Sequence, residues 1–269
     1  MSINLPYLPV RSSKPRETGL TMVMDKGLST TEVLNFIEMN ASLTDLVKLG
    51  FGTSVVSPNT EKKIKLYQGA NIKIYLGGTL FESFVIRNMF EDYLKLLDHL
   101  GLTTVEVSDG SMYMHHSEKL SYISRLAKHF TVLSEVGSKQ QGVEIPDDVW
   151  VEMMKSELDA GAWKVIGEAR ESGTTGIYHK DGSANEHLIK LINTKLKASD
   201  ILWEAPNGKQ QAWFIKLVGP EVNLGNIASN DVIPLECLRL GLRGDTFFDF
   251  LPTSMKENRP DSGLYKKLD

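Results

Sequence analysis

Short runs of β-branched and aliphatic residues recur along this chain, separated by segments with helical spacing. The runs GLTMVMDKG, DLVKLGFGTS, NIKIYLGG, LTTVEVSDG, FTVLSEVGS, AWKVIGEARESG, DILWEAPN and EVNLGNIA read as strands. Their first strand-like residues are Leu20, Leu46, Ile72, Thr103, Thr131, Lys164, Ile201 and Val222. Helical periodicity is plain between them, in FEDYLKLLDHLG, SEKLSYISRLAKHF and NEHLIKLINTKLK. Each interval has room for one strand, one helix and two loops. Eight such units predict a (β/α)8 barrel, an α/β fold of the TIM type. An open doubly wound sheet is the competitor, and it rarely uses eight regular repeats. The barrel is expected over residues 19–251. Residues 1–18, with three prolines and Arg11, Lys14 and Arg16, read as an N-terminal arm. Residues 252–269 read as a polar tail, on the surface or packed on a neighbouring subunit of a homo-oligomer.

Strand parity then sorts the side chains, because residues i and i+2 share a face. One set is nearly all apolar: Leu20, Met22 and Met24; Val47 and Leu49; Ile72, Ile74 and Leu76; Val105 and Val107; Val132 and Val136; Val165 and Ala169; Ile201 and Trp203; Val222 and Leu224. That set is expected to face the helices. The other carries a polar residue in every strand and is expected to face the barrel interior: Asp25, Lys48, Lys73, Glu106 and Ser108, Glu135, Glu168 and Arg170, Glu204, and Asn223.

Composition narrows the classes. Hydrophobic residues make up 41% and charged residues 24%, enough for a sizeable core and too apolar for disorder. The 30 Lys+Arg against 34 Asp+Glu leave a formal charge of −4, which argues against a general nucleic-acid binder. A single cysteine, Cys237, excludes an internal disulfide and a multi-cysteine metal cluster. No apolar leader core and no run long enough to span a membrane is visible, so a soluble cytoplasmic protein without a membrane partner is expected.

The inward carboxylates carry the chemistry. Asp25, Glu106, Glu135, Glu168 and Glu204 would be costly to bury unpaired, and Lys48, Lys73 and Arg170 offset only part of their charge. A hard divalent cation such as Mg²⁺ suits an all-carboxylate donor set lacking His and Cys. Glu106, Glu135 and Glu168, on consecutive strands, are the expected core of that site, with Asp25 and Glu204 as further candidates. An internal salt-bridge network is the competing reading for any one of them. Lys139 after strand five and Lys26 after strand one are candidate proton donors, and Lys48 joins them as a candidate catalytic cation. RESGTTG, with Arg170 and Ser172, offers an anion cradle. Lys209 in APNGKQQ, and Gly225 and Asn226 in NLGNIA, occupy positions where barrels commonly hold phosphate. The six histidines show no metal spacing, and HKDGSANE reads as a polar turn. Arg239 or Arg243, in LRLGLRGDTF, would serve an anion or a subunit contact, or belong to a solvated helix face.

The ordered motifs GLTMVMDKG, KLGFGTS, GGTLFE, VEVSDGS, SEVGSK, EARESG, WEAPNGKQQ, VNLGNIA and LRLGLRGDTF resemble the phosphosulfolactate synthase family from Gly19 to Phe248. The resemblance implies a (β/α)8 carbon–sulfur lyase that adds sulfite to phosphoenolpyruvate with Mg²⁺, giving 2-phospho-3-sulfolactate, the opening step of coenzyme M synthesis in methanogens. It implies an acid role for Lys139, which matches a lysine of the family's EVGKK motif; here the motif reads EVGSK, with Ser138 in place of the first lysine. The family pattern EGRESG appears as GEARESG. Plant heat-stress-associated proteins are more distant relatives, so a non-catalytic protective barrel is the second expectation, and a lyase for another enolpyruvate-like substrate the third.

Overall fold

Each apolar run forms a strand within two residues of its expected start. The computed structural model describes residues 3–138, 145–169, 172–257 and 259. The strands are β1 Thr21–Asp25, β2 Leu46–Leu49, β3 Lys73–Leu76, β4 Thr104–Val107, β5 Thr131–Val136, β6 Lys164–Gly167, β7 Ile201–Glu204 and β8 Leu224–Ala228. They are parallel and run in the order β3-β2-β1-β8-β7-β6-β5-β4, with β3 lying against β4 so that the ring is nearly closed. The helices between and after them are α1 Thr30–Asn40, α2 Thr53–Val56, α3 Thr60–Gly69, α4 Gly78–Val85, α5 Phe90–His99 and α6 His116–Leu126. They continue as α7 Asp147–Asp159, α8 Glu186–Lys195, α9 Gly208–Val218, α10 Val232–Arg239 and α11 Thr253–Lys256.

Local chemistry explains several helix starts. Ser29 and Glu32 form a reciprocal capping box at α1, and Asn185 and Asn207 accept from Leu188 N–H and Gln210 N–H at α8 and α9. In α5 the buried Phe90, Tyr93 and Leu97 recur at helical spacing and meet the outer faces of the strands. That outer shell holds Val47, Ile74, Val105, Val132, Val165, Trp203 and Leu224, as parity predicts.

The interior has two levels. Its lower level is apolar, built from Leu20, Met22, Leu46, Tyr75, Leu133, Ile166 and Leu202. Below it Trp163 lies under two ammonium groups, those of Lys73 and Lys164, 4.6 and 4.5 Å from a ring centroid. Lys73 is therefore exposed at the N-terminal end of β3 and offsets no charge among the carboxylates above, contrary to the expectation from its parity.

Strand β1 also departs from the sequence reading. Leu20 and Met22 fill the interior, while Val23 and Asp25 face the helices. Both faces of a buried barrel strand are dry, so polarity marks the inner face only where no helix supplies a partner. Here α3 supplies one. Lys63 Nζ lies 2.7 Å from Asp25 Oδ2 and Tyr67 Oη donates to the same oxygen at 3.1 Å. Asp25 Oδ1 accepts from Gly27 N–H and Leu28 N–H, both at 2.8 Å. Asp25 thus fixes the turn after β1 and lies apart from the other carboxylates.

Strand β8 is irregular. Thr21 pairs with Leu224 and Val23 with Ile227, so three steps on β8 match two on β1, a β-bulge. The arm is pinned across the N-terminal end of the barrel. Arg11 Nε donates to Glu236 Oε1 at 2.9 Å, Lys14 Nζ to the carbonyls of Ala41 and Thr44 at 2.9 and 2.6 Å, and Arg16 Nε lies 3.0 Å from Asp45 Oδ1. Arg239, wholly buried, donates to the carbonyls of Val222 and Leu20 at 2.7 and 3.1 Å at that same end. Its role is to tie α10 to the barrel floor, not to meet an anion. Among the described residues, no helix is long and apolar enough to cross a membrane.

Candidate active site

Four strands deliver carboxylates to the C-terminal end of the barrel, and one delivers a lysine. Lys48 Nζ donates to Glu204 Oε1 at 2.9 Å and lies 3.3 Å from Glu106 Oε2 and 3.7 Å from Glu135 Oε2. Glu168 stands immediately after β6 and faces the same cavity, which encloses about 340 Å³. All five residues are at most 4% exposed. One oxygen each of Glu135, Glu168 and Glu204 lies within 4.8 Å of the others, which is the spacing of ligands around one metal ion.

The remaining contacts orient these groups. Glu106 Oε1 accepts from Gly78 N–H at 2.6 Å, at the N-terminus of α4. Glu204 Oε2 accepts from Ala169 N–H at 2.8 Å, and the Glu204 carbonyl accepts from Tyr178 Oη at 2.7 Å. The Glu135 carbonyl accepts from Lys119 Nζ at 2.6 Å, and Lys119 is itself paired with Glu157 at 2.9 Å behind β5.

Charge follows from this packing. Burial alone would lower the Lys48 pKa, but Glu106 and Glu204 beside it raise it well above the ordinary lysine value. Burial pushes Glu204 up to about 7, against the pull of Lys48, with Glu135 and Glu106 adding to the rise. Among the described residues lining the cavity, Lys48 pairs with Glu106, Glu135 and Glu204. The donor set is all oxygen and clustered. It fits a hard divalent cation.

The residues singled out from sequence divide into three groups. Lys48, Glu106, Glu135, Glu168 and Glu204 meet in the cavity, and Ser172 and Asn226 line it beside them. Glu204 lies within the three-carboxylate cluster, while Glu106 is drawn aside to Gly78. Lys26 and Lys209 are exposed and are not among the cavity residues. Gly225 lies below, where a β-carbon would collide with Leu202 and Met22, so close packing inside the barrel explains that glycine. Arg243 pairs with Asp245 at 3.1 Å, next to Gly208 at the start of α9. Lys139 and Arg170 lie outside the described residues. HKDGSANE forms a polar turn, with Ser183 N–H donating to Asp181 Oδ1 at 2.9 Å.

Met24, Phe51, Gly77, Gly78 and Thr79 also line the cavity and were not foreseen. The Gly-Gly pair between β3 and the apolar run of α4 was the available signal. A β-carbon on Gly78 would strike Ser108 and crowd Glu106, so the helix can reach the carboxylates only with glycine there. Phe51 and Asn226 both have left-handed backbone, φ 41° and 56°, and such strain gathers at functional sites.

A (β/α)8 barrel with an acidic, lysine-centred cavity at its C-terminal mouth is an enzyme of the barrel class. In fold the chain is similar to 3-hexulose-6-phosphate synthase from Salmonella typhimurium, with a TM-score of 0.52 and 14% identity over 83% of this chain and all of that one. The family model of (2R)-phospho-3-sulfolactate synthase (ComA) matches residues 9–245. Phosphosulfolactate synthase of Bacillus subtilis (strain 168) is 39% identical over 244 residues, covering 90% of this chain and 97% of that protein. The chain belongs to the phosphosulfolactate synthase family. Protein HEAT-STRESS-ASSOCIATED 32 of Arabidopsis thaliana is also similar, at 24% identity over 259 residues, 85% of this chain and 88% of that protein.

Proposed function

We propose that this enzyme adds sulfite to phosphoenolpyruvate, giving 2-phospho-3-sulfolactate, with Mg²⁺ held by Glu135, Glu168 and Glu204. The observation that carries the reading is the three-carboxylate cluster at the barrel mouth, beside a lysine that stays charged. In the reaction the sulfite sulfur forms a bond to the methylene carbon, and the alkene electron pair moves toward the adjacent carbon and its carboxylate. A proton is then added to that adjacent carbon, and the phosphate ester remains intact. When bound, Mg²⁺ supplies positive charge where negative charge develops in the substrate carboxylate.

The chain's own groups account for the rest. Lys48 keeps Glu106, Glu135 and Glu204 from repelling one another and holds them in fixed positions. Gly78 N–H and Ala169 N–H orient the carboxylates of Glu106 and Glu204. Ser172, at the rim, presents a hydroxyl to an anionic group, and Arg170 stands two residues before it in the chain. Lys139, three residues past the end of β5 in sequence, is the proton donor in this reading, with Lys26 as the alternative.

The test is consumption of phosphoenolpyruvate that requires both sulfite and Mg²⁺, followed by phosphorus NMR of the product. The expected product retains a phosphate ester. Release of inorganic phosphate, or consumption that does not depend on sulfite, would overturn the assignment.

A further inference from the structure

The bulge in β8 changes which side chains the strand sends into the barrel. Leu224 and Ile227 pack outward in the shell beneath the helices, and Gly225 faces inward against Leu202 and Met22. Regular alternation would then turn residue 226 outward. Instead the extra residue of the bulge, with φ 56° at Asn226, lets this side chain line the cavity as well. Two consecutive residues of one strand therefore serve the interior, at the cost of a backbone conformation that few side chains adopt. Asparagine is among those that adopt it.

The amide is oriented by a neighbour. Asn226 Nδ2 donates to the Ala169 carbonyl at 3.3 Å. Reversing the amide would set oxygen against oxygen, so the assignment of Oδ1 to the other side follows from the contact. Asn226 is 7% exposed, and its Oδ1 is buried without a hydrogen-bond partner among the described residues. A buried acceptor left in this way is costly unless a ligand meets it. The same residue, Ala169, donates its N–H to Glu204 Oε2 at 2.8 Å and follows Glu168 directly, so Asn226 is tied to two of the three clustered carboxylates through one backbone residue.

The atom offered is an acceptor, which is unsuited to a phosphate, sulfite or carboxylate oxygen and suited to a cation. We infer that Asn226 Oδ1 is the neutral oxygen ligand of the divalent cation held by Glu135, Glu168 and Glu204. Hard divalent ions accept amide oxygens alongside carboxylates. The inference rests on the metal reading above and replaces the expectation that residue 226 serves an anion.

Mn²⁺ alone is the probe, with the free ion counted by electron paramagnetic resonance in the absence of either substrate. Asn226→Gly removes the oxygen and suits the left-handed backbone, so its metal-free melting temperature should not fall. Its Mn²⁺ affinity should drop about 10-fold or more, the scale seen when a metal site loses a supporting group. Asn226→Asp retains an oxygen while losing the Nδ2 bond to Ala169, and should bind Mn²⁺ at least as tightly as the parent. Parental affinity in Asn226→Gly overturns the inference and leaves the carboxylate site standing. Equal loss in the Gly and Asp variants also overturns it, because the effect would then belong to the Ala169 bond. A parent protein that binds no Mn²⁺ overturns the metal reading itself.

Discussion

Lys48 Nζ and Glu204 Oε1 meet at 2.9 Å across the barrel, from strands β2 and β7, which are separated in the ring by β1 and β8. The pair is therefore made through the interior and not along a ladder. Its two members carry opposite consequences of burial: the lysine is held charged by its carboxylates, while Glu204 is held near the point of protonation.

Removing the lysine should expose this balance. Breaking a buried ion pair from one side typically costs ~3–5 kcal/mol, because the partner charge is left uncompensated. Lys48→Met is expected to lower the metal-free melting temperature, and added Mg²⁺ should raise it by more than in the parent. Calorimetry with and without Mg²⁺ reads both quantities. An unchanged metal-free melting temperature would show that the carboxylates do not depend on Lys48.

The carboxylates should separate by role. Glu135→Gln, Glu168→Gln and Glu204→Gln are each expected to weaken Mg²⁺ binding by about 10-fold or more. Glu106→Gln should weaken it less, because Glu106 lies outside the cluster of Glu135, Glu168 and Glu204. Isothermal titration of the four variants is the measurement, and a loss in Glu106→Gln as large as in the others would reassign the metal site to include it.

Glu204 should give the metal-free protein a pH signature. Its carboxyl titrates at about 7 when folded and near the ordinary 4.5 when unfolded, so between these values the folded state holds a proton that the unfolded state has released. The stabilising contribution is fully present below 4.5 and is lost as the pH rises through about 7. The stability of the parent should therefore fall across this window relative to Glu204→Gln, which cannot titrate. A stability difference between the two proteins that does not vary with pH would refute the shift.

The proton donor is tested by splitting turnover from metal affinity. Lys139→Ala should lower turnover by about 10²–10⁴-fold, the usual contribution of a general acid, while leaving Mg²⁺ binding unchanged. Lys139→Arg should rescue poorly, since a guanidinium does not give up its proton near neutral pH. Near-normal turnover in Lys139→Ala with an inactive Lys26→Ala would move the acid to the turn after β1. A parent without sulfite-dependent turnover would favour the non-catalytic reading.

Much of this protein was legible in its residue order. The eight strands start where alternation and β-branched runs begin, and Lys48, Glu106, Glu135, Glu168 and Glu204 point inward as their parity requires. Both signals are local, set by the two-residue period of a strand whatever surrounds it. The exceptions depend on contacts between distant segments. Asp25 turned outward because Lys63 and Tyr67, a helix away, met it with a charge and a hydroxyl, while Leu20 and Met22 supplied the volume the lower interior needs. Glu204 joined Glu135 and Glu168, and Glu106 did not, because the α4 N-terminus reaches Glu106 through Gly78. Asn226 entered the cavity through a bulge that shifts the β8 register against β1, and period-two reading cannot anticipate an inserted step. Alternation names the face a side chain takes in a regular strand; which partner neutralises it, and where the strand breaks its period, depend on the packing of the closed ring.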